Sequence, residues 1–235
     1  MKALLIYAHP NPQSFCQAVL KVLREELFHA EVPCSLRDLY AMDFDPVLRG
    51  EELKEGRSGE RQVEIRQEQE LIRDADLLIF LFPLWWSGVP AILKGYLDRV
   101  LTYGFAFEET AHGMAGLLTK KKAILYTTTG SSEEEHAKQG LKEAIHSVFS
   151  AGIFEFCGIR MLDPVYFHSV PFSTADERRQ MLEQAGQSIR KIIRDMDTLL
   201  PPAPLPPSLE KSGTANQLLH EIPSAPEAGL RSFTI

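Results

Sequence analysis

The sequence predicts an α/β fold: a doubly wound, five-stranded parallel sheet with helices on both faces. Two observations carry this expectation. Apolar runs of strand length alternate with segments of helical period over residues 1–197, and such alternation stacks helices on a mostly parallel sheet. The two clearest runs, Ala3–Ala8 and Leu77–Phe82, are apolar at every position, which suits strands covered on both faces.

The elements follow in order. Ala3–Ala8 opens the sheet. Phe15–Phe28 is helical, with Phe15, Val19, Val22, Leu23 and Leu27 near helical spacing and Ser14 as its N-cap. Val32–Leu39 is a weaker second strand. Residues 40–59 form a polar loop that is long for a compact domain, and Glu60–Asp74 is a charged helix. Asp76 opens the strand Leu77–Phe82, which Pro83 ends. Pro90 begins a helix to Thr102, in the first turn, where its missing N–H does no harm. Lys120–Lys122 is a solvated turn that leads into a fourth strand, Lys122–Thr128. Leu141–Phe149 is helical. Phe154–Met161 is the fifth strand, with Val165–His168 available to continue it. Thr174–Asp197 is a long helix whose apolar stripe is Met181, Ala185, Ile189, Ile192, Ile193 and Met196.

From residue 198 the composition changes. Pro201, Pro202, Pro204, Pro206 and Pro207 exclude helix and central strand and read as polyproline or extended chain. This C-terminal extension, 198–235, reads either as a flexible tail or as an arm packing on a partner subunit, with Gln217–Glu221 able to form one helical turn. Residues 1–197 are the catalytic domain.

The chain has 235 residues, enough to bury a full core without a disulfide or a metal, and no metal site is expected. Its net charge of -7 disfavours nucleic acid and anionic membrane surfaces, which require clustered Lys and Arg. Three widely spaced cysteines, Cys16, Cys34 and Cys157, read as free thiols in a reducing compartment. The N-terminus enters a strand directly, without the layout of a signal peptide. The longest apolar stretch, Leu77–Trp86, is half of the ~20 residues that span a bilayer. A cytoplasmic protein with no membrane insertion is expected.

In an open parallel sheet, ligands sit beyond the carboxyl ends of the strands. After the first strand comes His9-Pro10-Asn11-Pro12-Gln13-Ser14-Phe15-Cys16, with neither G-x-G-x-x-G nor a Walker loop. This loop is either a plain connection with a capping serine or a phosphate site built on a helix N-terminus, to which His9 and Ser14 add donors. After the third strand comes Pro83-Leu84-Trp85-Trp86-Ser87-Gly88. Two tryptophans in a loop suit the walls of a planar aromatic ligand, unless they only pack on the next helix. After the fourth comes Thr127-Thr128-Thr129-Gly130-Ser131-Ser132, either a capped turn or a close backbone approach to a ligand's polar edge. Together the three loops suit a flavin nucleotide.

At these residues the sequence resembles the NAD(P)H:quinone oxidoreductases of the flavodoxin-like superfamily, the DT-diaphorase-like group and its bacterial relatives. Tyr7-Ala8-His9 with Ser14-Phe15, and Asp38 through Pro46, carry part of the resemblance. Ala75 through Val100 with Gly104-Phe105-Ala106-Phe107 is its most specific part, and Phe156-Cys157-Gly158 also fits. The resemblance implies a flavodoxin-like fold, a bound flavin, FAD or alternatively FMN, and NAD(P)H as co-substrate. It implies hydride transfer through the flavin to a quinone in a ping-pong cycle, and a homodimer with active sites at the interface. By position, His9, Ser14, Phe15, Cys16 and Ala18 hold the phosphate side. Leu84, Trp85, Trp86 and Ser87 line the ring, and Thr128, Thr129, Gly130 and Ser131 meet its polar edge. The chain departs from the family at Cys16, where asparagine is usual, and at Ser131, where a second glycine is usual. His136 stands where the mammalian enzymes place a charge-stabilising tyrosine, and the shorter segment after Gly140 leaves no clear match for their histidine. His136 is therefore the catalytic candidate. The alternatives are a regulatory subunit of a potassium-efflux system that keeps oxidoreductase activity, an azo- or nitro-compound reductase, and an electron carrier.

Overall fold

The computed structural model describes residues 1–52 and 62–196. The Pro-rich extension, the residue 197/198 boundary, residues 53–59 of the long loop and the expected helix start at residues 60–61 lie outside the described residues.

Six strands make the main sheet: β1 (Ala3–Tyr7), β2 (Cys34–Asp38), β3 (Leu77–Pro83), β6 (Lys122–Thr128), β7 (Arg160–Met161) and β8 (Val165–Phe167). The order is β2-β1-β3-β6, with β7 and β8 both pairing β6, and every pair is parallel. A small antiparallel hairpin, β4 (Phe107–Thr110) and β5 (Gly113–Gly116), stands apart. The helices are α1 (Phe15–His29), α2 (Val63–Asp74), α3 (Ala91–Val100), α4 (Glu133–Lys138), α5 (Leu141–Phe149) and α6 (Ala175–Asp195). Ser14 caps α1 by accepting the Gln17 N–H, and Ser132 and Thr174 each complete a capping box, with Glu135 and Glu177.

The apolar strand runs explain the two layers. Alternate side chains of β1, β3 and β6 point to opposite faces. On one face Leu4, Ile6, Leu78, Phe80 and Leu125 meet α2, α3 and α5 through Ile72, Leu93, Tyr96 and Phe149. On the other, Leu5, Ile79, Leu81, Ile124 and Tyr126 meet α1 and α6 through Val19, Leu23, Ala185 and Ile189.

Two expectations need correction. The fifth strand is two short pieces, and Phe154–Gly158 is not strand. A π-helical turn, Ser150–Phe154, carries the chain past the sheet edge, and Gly158 at φ 79° turns it back. There Gly116 approaches so closely that a Cβ on it would lie 2.1 Å from the Gly158 nitrogen. Between β7 and β8, Pro164 has no N–H to give a ladder. The second correction concerns Lys120–Lys122, of which only Lys120 is a solvated turn residue. Lys121 is buried, and its ammonium donates to the carbonyls of Arg73 and Ala75 at 2.8 and 2.6 Å, closing the end of α2. Lys122 donates to the Met196 carbonyl at 2.6 Å. Lys121→Met is expected to cost about 1–3 kcal/mol in chemical denaturation, because it strands two buried carbonyls. A smaller loss would mean that water replaces the ammonium.

Candidate active site

Register brings the predicted loops together. Tyr7 pairs with Leu81 and Leu81 with Tyr126, so β1, β3 and β6 end at one edge of the sheet. β1 has neighbours on both sides, and the chain's crossovers reverse direction there, which opens a crevice beside it. A cleft of about 190 Å³ lies at that place, lined by His9, Phe15, Cys16, Pro83, Leu84, Trp85, Thr128, Thr129 and Gly130. Val170 and Pro171 complete it, and the sequence reading missed both. They follow β8, so the same rule would have found them had the fifth strand been ended at Phe167.

The loop after β1 is shaped by its own polar groups. The Asn11 N–H donates to His9 Nδ1 at 3.0 Å, and the Gln13 N–H donates to Asn11 Oδ1 at 2.8 Å. Accepting at Nδ1 requires a neutral His9 ring, which leaves the Nε2 hydrogen to donate, and burial lowers the His9 pKa in the same sense. The Ser14 hydroxyl caps Gln17, so Phe15 and Cys16 begin α1 with N–H groups that have no acceptor within the helix. Ala18 sits one turn further on, half-buried, its N–H bonded to the Ser14 carbonyl, and it does not line the cleft.

The loop after β3 divides the two tryptophans. Trp85 and Gly88 exchange backbone hydrogen bonds at 3.0 Å, which closes a two-residue turn on Trp86 and Ser87. Both turn residues have positive φ, 52° and 57°, a conformation that non-glycine residues avoid and that clusters at functional sites. Trp85 stands edge-on to His9 at 5.9 Å and forms a cleft wall. Trp86 is 102% exposed at the turn tip, and neither it nor Ser87 lines the cleft.

The loop after β6 forms the polar rim. Thr128 Oγ1 lies 3.2 Å from Cys16 Sγ, so the position where asparagine is usual joins the rim directly. Burial pushes the Cys16 thiol up to about 12, which keeps it protonated. Thr129 Oγ1 accepts the Ser131 N–H and donates to the Ser131 carbonyl, both at 2.9 Å, which fixes Ser131 behind the rim. A Cβ on Gly130 would meet nothing nearer than Pro171 at 4.0 Å, so the space above the rim is open.

His136 is 4% exposed on α4, away from the cleft wall. It stands perpendicular to His168 at 4.8 Å between ring centroids, and edge-on to Tyr166 at 6.3 Å. Burial lowers the pKa of both histidines. The consequence for stability has a definite sign. A histidine held neutral by the fold stabilises it fully above the unfolded value of ~6.5, and that stability is lost as pH falls towards the folded pKa. With His9, His136 and His168 all shifted down, the melting temperature is expected to fall as pH drops below 6.5, and His168→Gln is expected to flatten that slope. A melting temperature independent of pH in that range would contradict it.

A family model described as flavodoxin-like fold matches residues 1–192. The chain belongs to that family. A Haemophilus influenzae protein described as an uncharacterized NAD(P)H oxidoreductase is 37% identical over 188 residues, 80% of this chain and 93% of that protein. The mouse ribosyldihydronicotinamide dehydrogenase [quinone] is 33% identical over 83% of this chain and 93% of its own length. The solved NAD(P)H:quinone oxidoreductase from Methanothermobacter marburgensis superposes with a TM-score of 0.75 at 30% identity, covering 82% of this chain and 97% of that one. Azoreductase AzrA, at 21% identity and a TM-score of 0.64, shares the fold. The resemblance read from the first loop and from Ala75–Phe107 is borne out, and so is an enzyme of the NAD(P)H dehydrogenase (quinone) type.

Proposed function

We propose that this chain reduces quinones with NAD(P)H through a flavin held in the cleft between β1, β3 and β6. The observation that carries the reading is a cleft into which an anion-suited helix start, an aromatic wall and a hydroxyl-rich rim all converge. Residues 1–197 form the catalytic domain. A flavin fits the residues present: the first turn of α1 with Ser14, Phe15 and Cys16 receives its phosphate side, Leu84 and Trp85 flank the ring, and Thr128, Thr129 and Gly130 face its polar edge, over open space. When bound, the flavin supplies two-electron hydride chemistry that no side chain provides. His9 offers one hydrogen at Nε2, and the rim donors stabilise negative charge at the ring's polar edge. Leu84 and Trp85 exclude water from one side of the site.

FAD is the cofactor we favour, with FMN the alternative; an FMN-bound NADH-azoreductase from Bacillus anthracis shares this fold at 18% identity. A homodimer accounts for Trp86, whose fully exposed ring at a strained turn suits burial against a second copy. Among the described residues no helix is long and apolar enough to cross a membrane, in keeping with a cytoplasmic enzyme. Azo compounds are a second acceptor class, favoured by the openness of the cleft around Gly130. Initial rates with varied NADPH or NADH and quinone are expected to give parallel double-reciprocal lines, the mark of one site used twice. Intersecting lines would defeat the ping-pong cycle, and mass analysis of the flavin released by denaturation decides between FAD and FMN.

A further inference from the structure

The start of β6 lies at the opposite edge of the sheet from the flavin cleft. Lys122 pairs with Leu77 at one end of the strand, and Thr128 pairs with Pro83 at the other. At about 3.3 Å per residue, roughly 20 Å separates the two ends. A cleft of about 390 Å³ opens at the Lys122 end, between Arg73 near the end of α2, the Gly104–Phe105 turn and the segment Leu117–Lys121.

Its floor is apolar and its mouth is cationic. Phe105 and Leu118 are buried there, while Leu117 is partly open to solvent. The Arg73 guanidinium stands over the Phe105 ring, 5.2 Å from the centroid, and this cation–π contact holds it in place. The Lys121 N–H donates to the Leu118 carbonyl at 3.1 Å, which closes a turn and leaves Lys120 exposed at its tip.

Lys121 supplies the buried part of the site. It is 9% exposed. Its ammonium has three hydrogens, and the carbonyls of Arg73 and Ala75 take two of them. No carboxylate touches it. Asp74 is engaged by the Lys2 ammonium at 2.8 Å and Asp76 by the Lys2 N–H at 2.7 Å, so both act on Lys121 only at longer range. Among the described residues, the ion pairs include none to Arg73, Lys120 or Lys121. A buried charge without a contacting countercharge is costly, and three such cations adjoin in a chain of net charge -7.

We propose that this cleft binds a small apolar carboxylate or sulfonate. Arg73, Lys120 and the remaining ammonium hydrogen of Lys121 hold its anion, and Phe105, Leu117 and Leu118 receive its apolar body. A guanidinium already fixed on a ring loses little freedom when it takes a planar anion, and its paired N–H groups match two oxygens. The apolar floor selects against inorganic phosphate, which has no apolar part to cover it. The cleft is separate from the flavin site, and the proposal does not rest on the flavin reading.

The test uses the purified full-length protein, with naphthoate as probe and the neutral naphthamide as control. Amide NMR signals of Phe105, Leu118 and Thr119 are expected to shift on adding naphthoate, while those of Thr128 and Gly130 stay in place. Naphthamide is expected to bind about 10-fold more weakly or worse, because it lacks the charge. Arg73→Gln is expected to weaken naphthoate binding about 10-fold. Lys120→Gln, a change at an exposed side chain, is expected to weaken it by about 2- to 5-fold. If R73Q fails to fold, K120Q and the acid–amide comparison still decide. Equal affinity for acid and amide, an unchanged affinity in R73Q, or no shift at Phe105 and Leu118 would each overturn the proposal. Shifts confined to Thr128 and Gly130 would also overturn it, since the probe would then be entering the flavin cleft. A chain that never reduces quinones leaves this result standing, and loss of naphthoate binding leaves the flavin reading standing.

Discussion

Replacing Arg99 by leucine is expected to destabilise the protein by about 3–5 kcal/mol. Arg99 is 1% exposed, on α3, and all three of its guanidinium nitrogens donate. Nε donates to Glu52 at 2.8 Å, Nη1 to the Asp45 carbonyl at 2.6 Å, and Nη2 to Glu64 and Gln62 at 2.7 and 3.0 Å. Its face rests on Phe44 at 5.4 Å from the ring centroid. One side chain therefore pins the 45–52 segment and the start of α2 to α3. Removing it leaves the Glu52 carboxylate, 8% exposed, without its countercharge. Lysine does not rescue the loss, because a single ammonium cannot reproduce a planar fork of donors. Adding Glu52→Leu to R99L is expected to recover part of the stability, since it removes the stranded charge. Urea unfolding of the three variants measures this. A loss below about 1 kcal/mol for R99L would mean that the network is a surface ion-pair set of little weight.

The second large effect falls on the cleft and divides the two tryptophans. Trp85→Ala is expected to weaken flavin binding about 10- to 100-fold, the equivalent of losing about 1.4–2.8 kcal/mol of apolar contact. Trp85 is 41% exposed and already held against His9, so a ligand covers a preformed surface. Trp86→Ala is expected to leave the flavin affinity of the single chain within about 0.5 kcal/mol, because an exposed ring contributes little. Fluorescence titration of the flavin-free variants measures both. Equal losses would mean that the 85–88 turn reorganises to bring Trp86 over the ring.

Much of this was legible in the sequence, for reasons that differ by element. β1, β3 and β6 were readable because strands buried on both faces are apolar throughout, and α1 and α6 because Ser14 and Thr174 announce helix starts. The three cleft loops followed from the strand ends alone. The broken fifth strand was obscured because Ile153 through Ile159 is apolar apart from Glu155 yet packs as a π-helical turn and a glycine reversal, where periodicity cannot separate turn from strand. The β4–β5 hairpin was missed because its strands have only four residues each, β4 mostly polar and β5 small and Gly-flanked, with weak alternation. Lys121 was misread because a lysine that caps a neighbouring helix looks in sequence like one that faces water. The split between Trp85 and Trp86 depends on backbone angles that no side-chain pattern encodes, and the meeting of His136 with His168 depends on a contact between segments far apart in the chain.

The most direct test of the central claim is an anaerobic absorption spectrum of the purified protein incubated with FAD or FMN, before and after NADPH and then NADH. Bound-flavin bands are expected to bleach on adding one or both nucleotides and to return when a quinone is added. A protein that stays colourless with both flavins, or whose bound flavin neither nucleotide reduces, would contradict it.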